Sequence, residues 1–226
     1  MKTLGLIGGT SWHATQEYYK LINEGVGRLR GTQGNPELII YSINIEIMRS
    51  MDLDRIHAKY LEVSEKLIEA GAEGILICAN TPHLTYDYVQ PKIGVPILHI
   101  ADATGKEAKR LGLKKLGLLG NRPTMTGDFI PGVLRSGYGI ETIIPESHFL
   151  PKAHYYISKE LTQGKFSDKA RKFFLEQIEL LKDRGADGII LGCTELPLLI
   201  DATQVELPTL PTTDLHAQMA VDFILN

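Results

Sequence analysis

Two kinds of apolar pattern alternate along this chain. Short runs of Ile, Leu and Val, too brief for helices, are separated by longer stretches in which apolar residues recur every three or four positions. The short runs predict strands at residues 3–7, 37–43, 74–78, 96–99, 115–119, 140–144, 188–192 and 208–210. Because these runs are nearly continuous rather than alternating, the strands are expected to be buried on both faces, as in parallel sheets covered by crossover helices. The longer stretches supply those helices. Ile56, Tyr60, Val63, Leu67 and Ile68 form one apolar helical face that stops at Ala70-Gly71. The predicted class is α/β.

The pattern also repeats. Gly5-Leu6-Ile7-Gly8-Gly9 returns 112 residues later as Gly117-Leu118-Leu119-Gly120-Asn121, and Gly71-Ala72-Glu73-Gly74-Ile75 returns 114 residues later as Gly185-Ala186-Asp187-Gly188-Ile189. Val95-Pro96-Ile97-Leu98 and Asp102 match Leu207-Pro208-Thr209-Leu210 and Asp214 at the 112-residue offset. Four matches in one order at nearly one spacing indicate two similar lobes, each an open, mainly parallel sheet flanked by helices and related by pseudo-twofold symmetry. The segment after Asp214, with Leu215, Met219, Phe223 and Ile224 on one face, corresponds to the helix after Asp102 and is expected to cross back to the first lobe. The expected domains are therefore residues 1–103 with 214–226, and residues 104–213. Ligand-binding loops at the carboxyl ends of both sheets (residues 8–10, 79–83, 121–125 and 193–196) would line one site between the lobes.

Composition narrows the function. The chain has 226 residues, 43% of them hydrophobic and 23% charged, which is the balance of an ordinary globular protein. A net charge of −3, with Lys and Arg scattered, gives no drive toward nucleic acid or an anionic membrane, so a small-molecule partner is expected. The first apolar run ends in glycines after a few residues, too short for a signal peptide or membrane span, and the expected location is the cytoplasm. Two cysteines in such a chain are expected to be free thiols. The seven histidines show no metal-ligand spacing, and Gly5–Thr10 lacks the G-x-G-x-x-G dinucleotide pattern, so neither metal nor cofactor is expected.

Chemistry is concentrated in two corresponding loops. Gly192-Cys193-Thr194-Glu195 places a thiol between a buried strand and a helix start, where backbone N–H groups can favour thiolate and Thr194 adds a hydroxyl. The bland alternative is that Cys193 is a small buried hydrophobe. The matching segment is Cys78-Ala79-Asn80-Thr81-Pro82-His83, but the repeat aligns Cys193 with Ala79, not Cys78. Successive strand side chains point to opposite faces, so Cys78 is expected to face the helix layer while Ala79 faces the site. Asn80 and Thr81 could bind carboxylate or amino groups, or merely cap the loop. Trp12 and His13 could wall the site. Lys152 and Arg49 are candidate cations for a substrate carboxylate, with solvated surface positions as the alternative.

Taken together, Gly5-Leu6-Ile7-Gly8-Gly9-Thr10-Ser11-Trp12, Ala79-Asn80-Thr81-Pro82-His83 and Gly192-Cys193-Thr194-Glu195 resemble the three signature regions of the aspartate/glutamate racemase family over essentially the whole chain. The resemblance implies an isomerase that removes an amino acid's α-proton from one face and returns one to the other without pyridoxal phosphate, using two thiols. One thiol maps onto Cys193; the other maps onto Ala79, which carries no exchangeable proton. Glu195 occupies a family position that assists the thiol. Asn80, Thr81, Thr124 and Lys152 resemble positions that grip the substrate, and the glycine loop contributes Gly9 and Thr10. Cys78, His83, Thr81 or a water could replace the missing proton carrier. The alternatives are a one-base, decarboxylase-like enzyme and a noncatalytic binder of a small amino or carboxylic acid. A homodimer is also expected.

Overall fold

The computed structural model describes residues 1–31 and 33–226. The chain divides into two compact units, residues 1–99 with 216–226, and residues 100–215. The first unit carries β1 (Leu4–Gly8), α1 (Trp12–Arg30), β2 (Leu38–Ser42), α2 (Glu46–Arg49), α3 (Leu53–Glu69), β3 (Gly74–Ile77), α4 (Tyr86–Val89) and β4 (Ile97–Leu98). The chain continues with α5 (Ile100–Arg110), β5 (Lys115–Gly120), α6 (Arg122–Thr126), α7 (Pro131–Tyr138), β6 (Glu141–Ile143), α8 (Leu150–Tyr155), α9 (Asp168–Asp183), β7 (Gly188–Gly192), α10 (Leu196–Leu199), β8 (Thr209–Pro211) and α11 (Thr212–Leu225). Each unit holds a four-stranded sheet whose described pairings are all parallel, in the order β2-β1-β3-β4 and β6-β5-β7-β8. This is the predicted α/β class, and all eight predicted strands form within two residues of their expected ends.

The repeat survives to the level of single contacts. In the first unit Thr3 N donates to Glu73 Oε2 at 2.8 Å; in the second, Lys115 N donates to Asp187 Oδ1 at 3.0 Å. A Cβ on Gly5 would meet Leu67 Cβ and Ile75 Cδ1 at 3.1 Å each, while one on Gly117 would meet Leu181 Cδ1 at 3.0 Å and Ile189 Cδ1 at 2.8 Å. Leu67 and Leu181, and Ile75 and Ile189, are the same pairs at the 114-residue offset. Both glycines are therefore explained by helix-on-strand packing rather than by a phosphate-binding turn.

Each sheet is buried on its faces, as the continuous apolar runs require. In the first unit Leu4, Leu6, Leu76 and Cys78 pack with Tyr18, Ile22 and Val26 of α1 and Ala220, Val221 and Ile224 of α11. Ile7, Ile75 and Ile77 instead pack with Ile56, Tyr60, Val63 and Leu67 of α3. Burial of each such side chain stabilises the fold by about 1.5–3 kcal/mol. Gly71, at φ +102°, follows the last turn of α3, consistent with the predicted stop.

The α11 helix begins in the second unit and continues in the first, where Lys2 N donates to the Ile224 carbonyl at 2.9 Å. The expected boundaries after 103 and before 214 move to after 99 and before 216. Ile100 and Ala101 pack into the core formed by Leu116, Leu118 and Ile189, so the whole of α5 belongs to the second unit. Among the described residues, no helix is long and apolar enough to cross a membrane.

Candidate active site

In the first unit, three strand ends converge. Ile43 N donates to Gly8 O at 3.0 Å and Cys78 N donates to Ile7 O at 2.9 Å, which brings the chain after β2 and β3 against the glycine loop after β1. The close approach requires glycine: Gly9 sits at φ +90°, and a Cβ there would lie 2.1 Å from Ile43 O. Thr15 closes the loop, its Oγ1 accepting from Gly9 N at 3.0 Å and donating to Ser11 O at 3.1 Å. Ser11 caps α1 by accepting from Ala14 N at 3.3 Å. Thr10 Oγ1 is buried in this loop and lies beside the Tyr60 side chain.

After β3 the chain runs through Cys78, Ala79 and Asn80 into a 3₁₀ turn, Thr81–Thr85. Cys78 is fully buried in the α1–α11 core, and burial pushes its thiol well above the ordinary range. Ala79 is half-buried, and Asn80 is buried with its Oδ1 unpartnered among the described residues. His83 is buried as well, with Nδ1 2.9 Å from Ala79 O and 3.2 Å from Asn80 O.

In the second unit, Cys193 follows β7 and precedes α10. The predicted neighbours are present: Thr124, at 0% exposure, lies against the strand end, because a Cβ on Gly192 would meet Thr124 Cγ2 at 3.3 Å. Asn121 caps α6 by accepting from Thr124 N at 2.9 Å. Thr194 is half-buried and Glu195 buried. Cys193 Sγ donates to Glu195 Oε2 at 3.0 Å, while Glu195 Oε1 is buried with no partner among the described residues.

The thiol's protonation corrects an expectation. Desolvation, then the charge of Glu195 and its hydrogen bond, push the Cys193 thiol well above its ordinary range, although part of the residue remains open to solvent. The amides of Glu195 and Leu196 pull the other way and do not prevail. The magnitudes explain why. A helix terminus contributes about 0.3–1 kcal/mol, and α10 has only four residues. A neighbouring charge in protein surroundings contributes roughly 4 kcal/mol at 4 Å.

Two predicted cations fit less well. Lys152 is exposed, with Nζ 5.0 Å from the ring centre of Phe173 and 5.9 Å from that of Tyr156. Arg49 is exposed on α2 and makes no side-chain hydrogen bond or ion pair with the described residues. Trp12 is 59% exposed and stacks on His13 with ring centres 3.5 Å apart.

A buried aromatic cluster behind Ala79 was not anticipated. The His83 ring lies 4.8 Å from that of His99 and 5.4 Å from that of His216. His216 Nε2 donates to Leu98 O at 2.7 Å, and Tyr18 OH donates to His216 Nδ1 at 2.9 Å. Burial, then mutual repulsion, lowers His83 and His216 to about 3 and His99 to about 4, so all three are neutral at neutral pH. Among the described residues, no group of three or more His, Cys, Asp or Glu is arranged to hold a metal ion.

Comparison with known proteins agrees with this construction. Residues 7–220 match the Asp/Glu/Hydantoin racemase family. The broad specificity amino-acid racemase RacX of Bacillus subtilis is 26% identical over 229 residues, covering 98% of each chain. A crystal structure of a Yersinia pestis protein assigned as an Asp/Glu racemase is 37% identical, covers 100% of both chains and superposes with a TM-score of 0.94. An aspartate racemase homologue from Pyrococcus horikoshii is 33% identical, also covers 100% of both chains, and has a TM-score of 0.86. With the family match spanning nearly the whole chain and carrying both strand-end loops, this protein belongs to the Asp/Glu/Hydantoin racemase family.

Proposed function

We propose that the protein is an amino-acid isomerase that works without pyridoxal phosphate, with Cys193 as its thiol acid/base and Glu195 as the group that takes and returns the thiol proton. The carrying observation is the 3.0 Å hydrogen bond from Cys193 Sγ to Glu195 Oε2. A thiol raised by burial and a carboxylate rests protonated and becomes thiolate only when its proton passes to Glu195. The thiolate so formed is the stronger base for that raised affinity, which suits removal of a weakly acidic α-proton. Asn80 Oδ1, buried and unpartnered among the described residues, is suited to accept a hydrogen bond from the substrate ammonium, with Thr10 Oγ1 buried in the glycine loop as a second candidate. In this reading Gly9, Thr81, Thr124 and Thr194 shape the same substrate's binding, and Lys152 and Arg49 are peripheral.

The names of the relatives, a broad specificity amino-acid racemase and an aspartate racemase homologue, support an acidic or broader range of amino acids as the substrate class. Incubating D- and L-aspartate, D- and L-glutamate and a panel of neutral amino acids with the enzyme in D₂O tests it. Incorporation of deuterium at Cα of at least one is expected; absence of exchange across the panel overturns the reading.

Ala79 favours a second reading of the outcome. Returning a proton to the other face of the substrate needs a carrier, and the residue equivalent to Cys193 has only a methyl group. One-base chemistry would wash deuterium into the substrate faster than it inverts configuration, and chiral chromatography of the same samples measures that ratio.

A further inference from the structure

We propose that His83 is a positioning residue: its buried Nδ1–H clamps the Ala79 and Asn80 carbonyls and thereby aims the Asn80 side chain at the substrate ammonium. This inference rests on the reading of Asn80 as a substrate-binding residue.

Carbonyl oxygens only accept, so the 2.9 Å and 3.2 Å contacts are hydrogen bonds in the tautomer that carries its proton on Nδ1 of His83, with the Leu98 carbonyl a further acceptor beside the ring. One donor shared between two consecutive carbonyls fixes the direction of the peptide plane joining Ala79 to Asn80. That plane sets where the Asn80 side chain leaves the backbone. The segment lies beyond the end of β3, with Ala79 N bonded to Ile77 O at 2.8 Å and His83 N to Asn80 O at 3.1 Å.

The ring is itself held. His99 and His216 flank it, and His99 is in turn edge-on to Tyr86 at 4.6 Å between ring centres. His216 is fixed at both nitrogens, between Leu98 O and the Tyr18 hydroxyl. The cluster thus anchors the turn after β3 to α1, β4 and α11. At 1% exposure, with Nδ1 facing the backbone, His83 is poorly placed to be the missing proton carrier and well placed to hold a neighbour.

The test compares His83→Ala, His83→Asn and Val89→Ala. An asparagine amide can donate from nearly the position of Nδ1, while Val89, buried in the core on the α3 side of the sheet, serves as a destabilised control that leaves the turn intact. Two readouts are taken on folded protein: amide hydrogen exchange of residues 79–83, and KM and kcat for α-deuteration of D- and L-aspartate and glutamate. His83→Ala is expected to speed amide exchange in the turn at least tenfold and to raise KM about tenfold with kcat within about threefold; His83→Asn restores both, and Val89→Ala changes neither. Unchanged turn exchange in His83→Ala, or equal effects in Val89→Ala, overturns the proposal. If the wild-type enzyme turns over none of these amino acids, the proposed activity fails on them, and the amide exchange still decides whether His83 fixes the turn. Should His83→Ala fail to fold, His83→Leu against His83→Asn makes the same comparison.

Discussion

Cys193 Sγ and Glu195 Oε2 stand 3.0 Å apart, two residues from each other along a strand-end loop, with the second carboxylate oxygen buried and unpartnered among the described residues. In the proposed mechanism this contact makes Glu195 the acceptor of the thiol proton.

Replacing Glu195 by Gln keeps the shape but removes the base. The kcat for α-deuteration is expected to fall by about 10²–10⁴ with KM changed little. Steady-state kinetics on the folded variant check this, and a kcat within a few-fold of wild type would show that another group accepts the thiol proton.

Ala79→Cys places an exchangeable proton at the position that the internal repeat aligns with Cys193. Its ratio of inversion to α-exchange is expected to rise by about tenfold or more. Chiral chromatography with mass spectrometry reads both quantities from one sample; an unchanged ratio would mean that Ala79 does not border the reacting carbon.

Acid should unfold the protein unusually steeply. The native state holds His83 and His216 at about 3 and His99 at about 4, below the ordinary 6.5. Above pH 6.5 neither state binds these protons, and the histidines take nothing from stability. As pH falls from 6.5 toward 3–4, the unfolded chain takes up protons that the native cluster refuses, and stability drops by up to about 1.4 kcal/mol per pH unit for each histidine. Urea unfolding at pH 7, 6 and 5 measures the slope. His99→Asn is expected to flatten it, whereas equal slopes would place the acid sensitivity elsewhere.

Two glycines with positive φ separate backbone conformation from close approach. A Cβ on Gly71 meets nothing within 4 Å, while one on Gly9 would lie 2.1 Å from Ile43 O. Gly71→Ala is expected to cost about 1 kcal/mol, and Gly9→Ala about 3 kcal/mol or more with displacement of the glycine loop. Thermal melts rank the two; similar losses would mean that the loop yields freely.

Much of this was legible in the sequence, for physical reasons. Buried parallel strands read as apolar runs, and the repeat was visible because Gly5 and Gly117 face the same leucine and isoleucine, and Glu73 and Asp187 hold the same backbone amide. Cys78 was correctly set apart from Ala79 by the alternation of side chains, which sends Leu76 and Cys78 into the α1–α11 core and Ile75 and Ile77 toward α3. The thiol's raised proton affinity was not legible: Cys193 and Glu195 are near in sequence, but which way a loop turns its carboxylate depends on backbone geometry. Nor was the histidine cluster. Residues 83, 99 and 216 carry no shared spacing, and only the return of α11 to the first unit brings His216 against the other two. Arg49 was singled out for its charge, and Lys152 for its charge and its resemblance to a substrate-gripping family position; both side chains are exposed.

The most direct test of the account is α-deuteration in D₂O, at saturating concentration of the amino acid that the wild-type enzyme exchanges fastest, by wild type and by Cys193→Ser with matched circular dichroism and melting temperature. The account predicts that Cys193→Ser loses exchange by at least about 10³-fold, because serine's hydroxyl is a far poorer acid/base than a thiol paired with Glu195. Exchange in Cys193→Ser within tenfold of wild type would contradict it and move the proton chemistry away from Cys193.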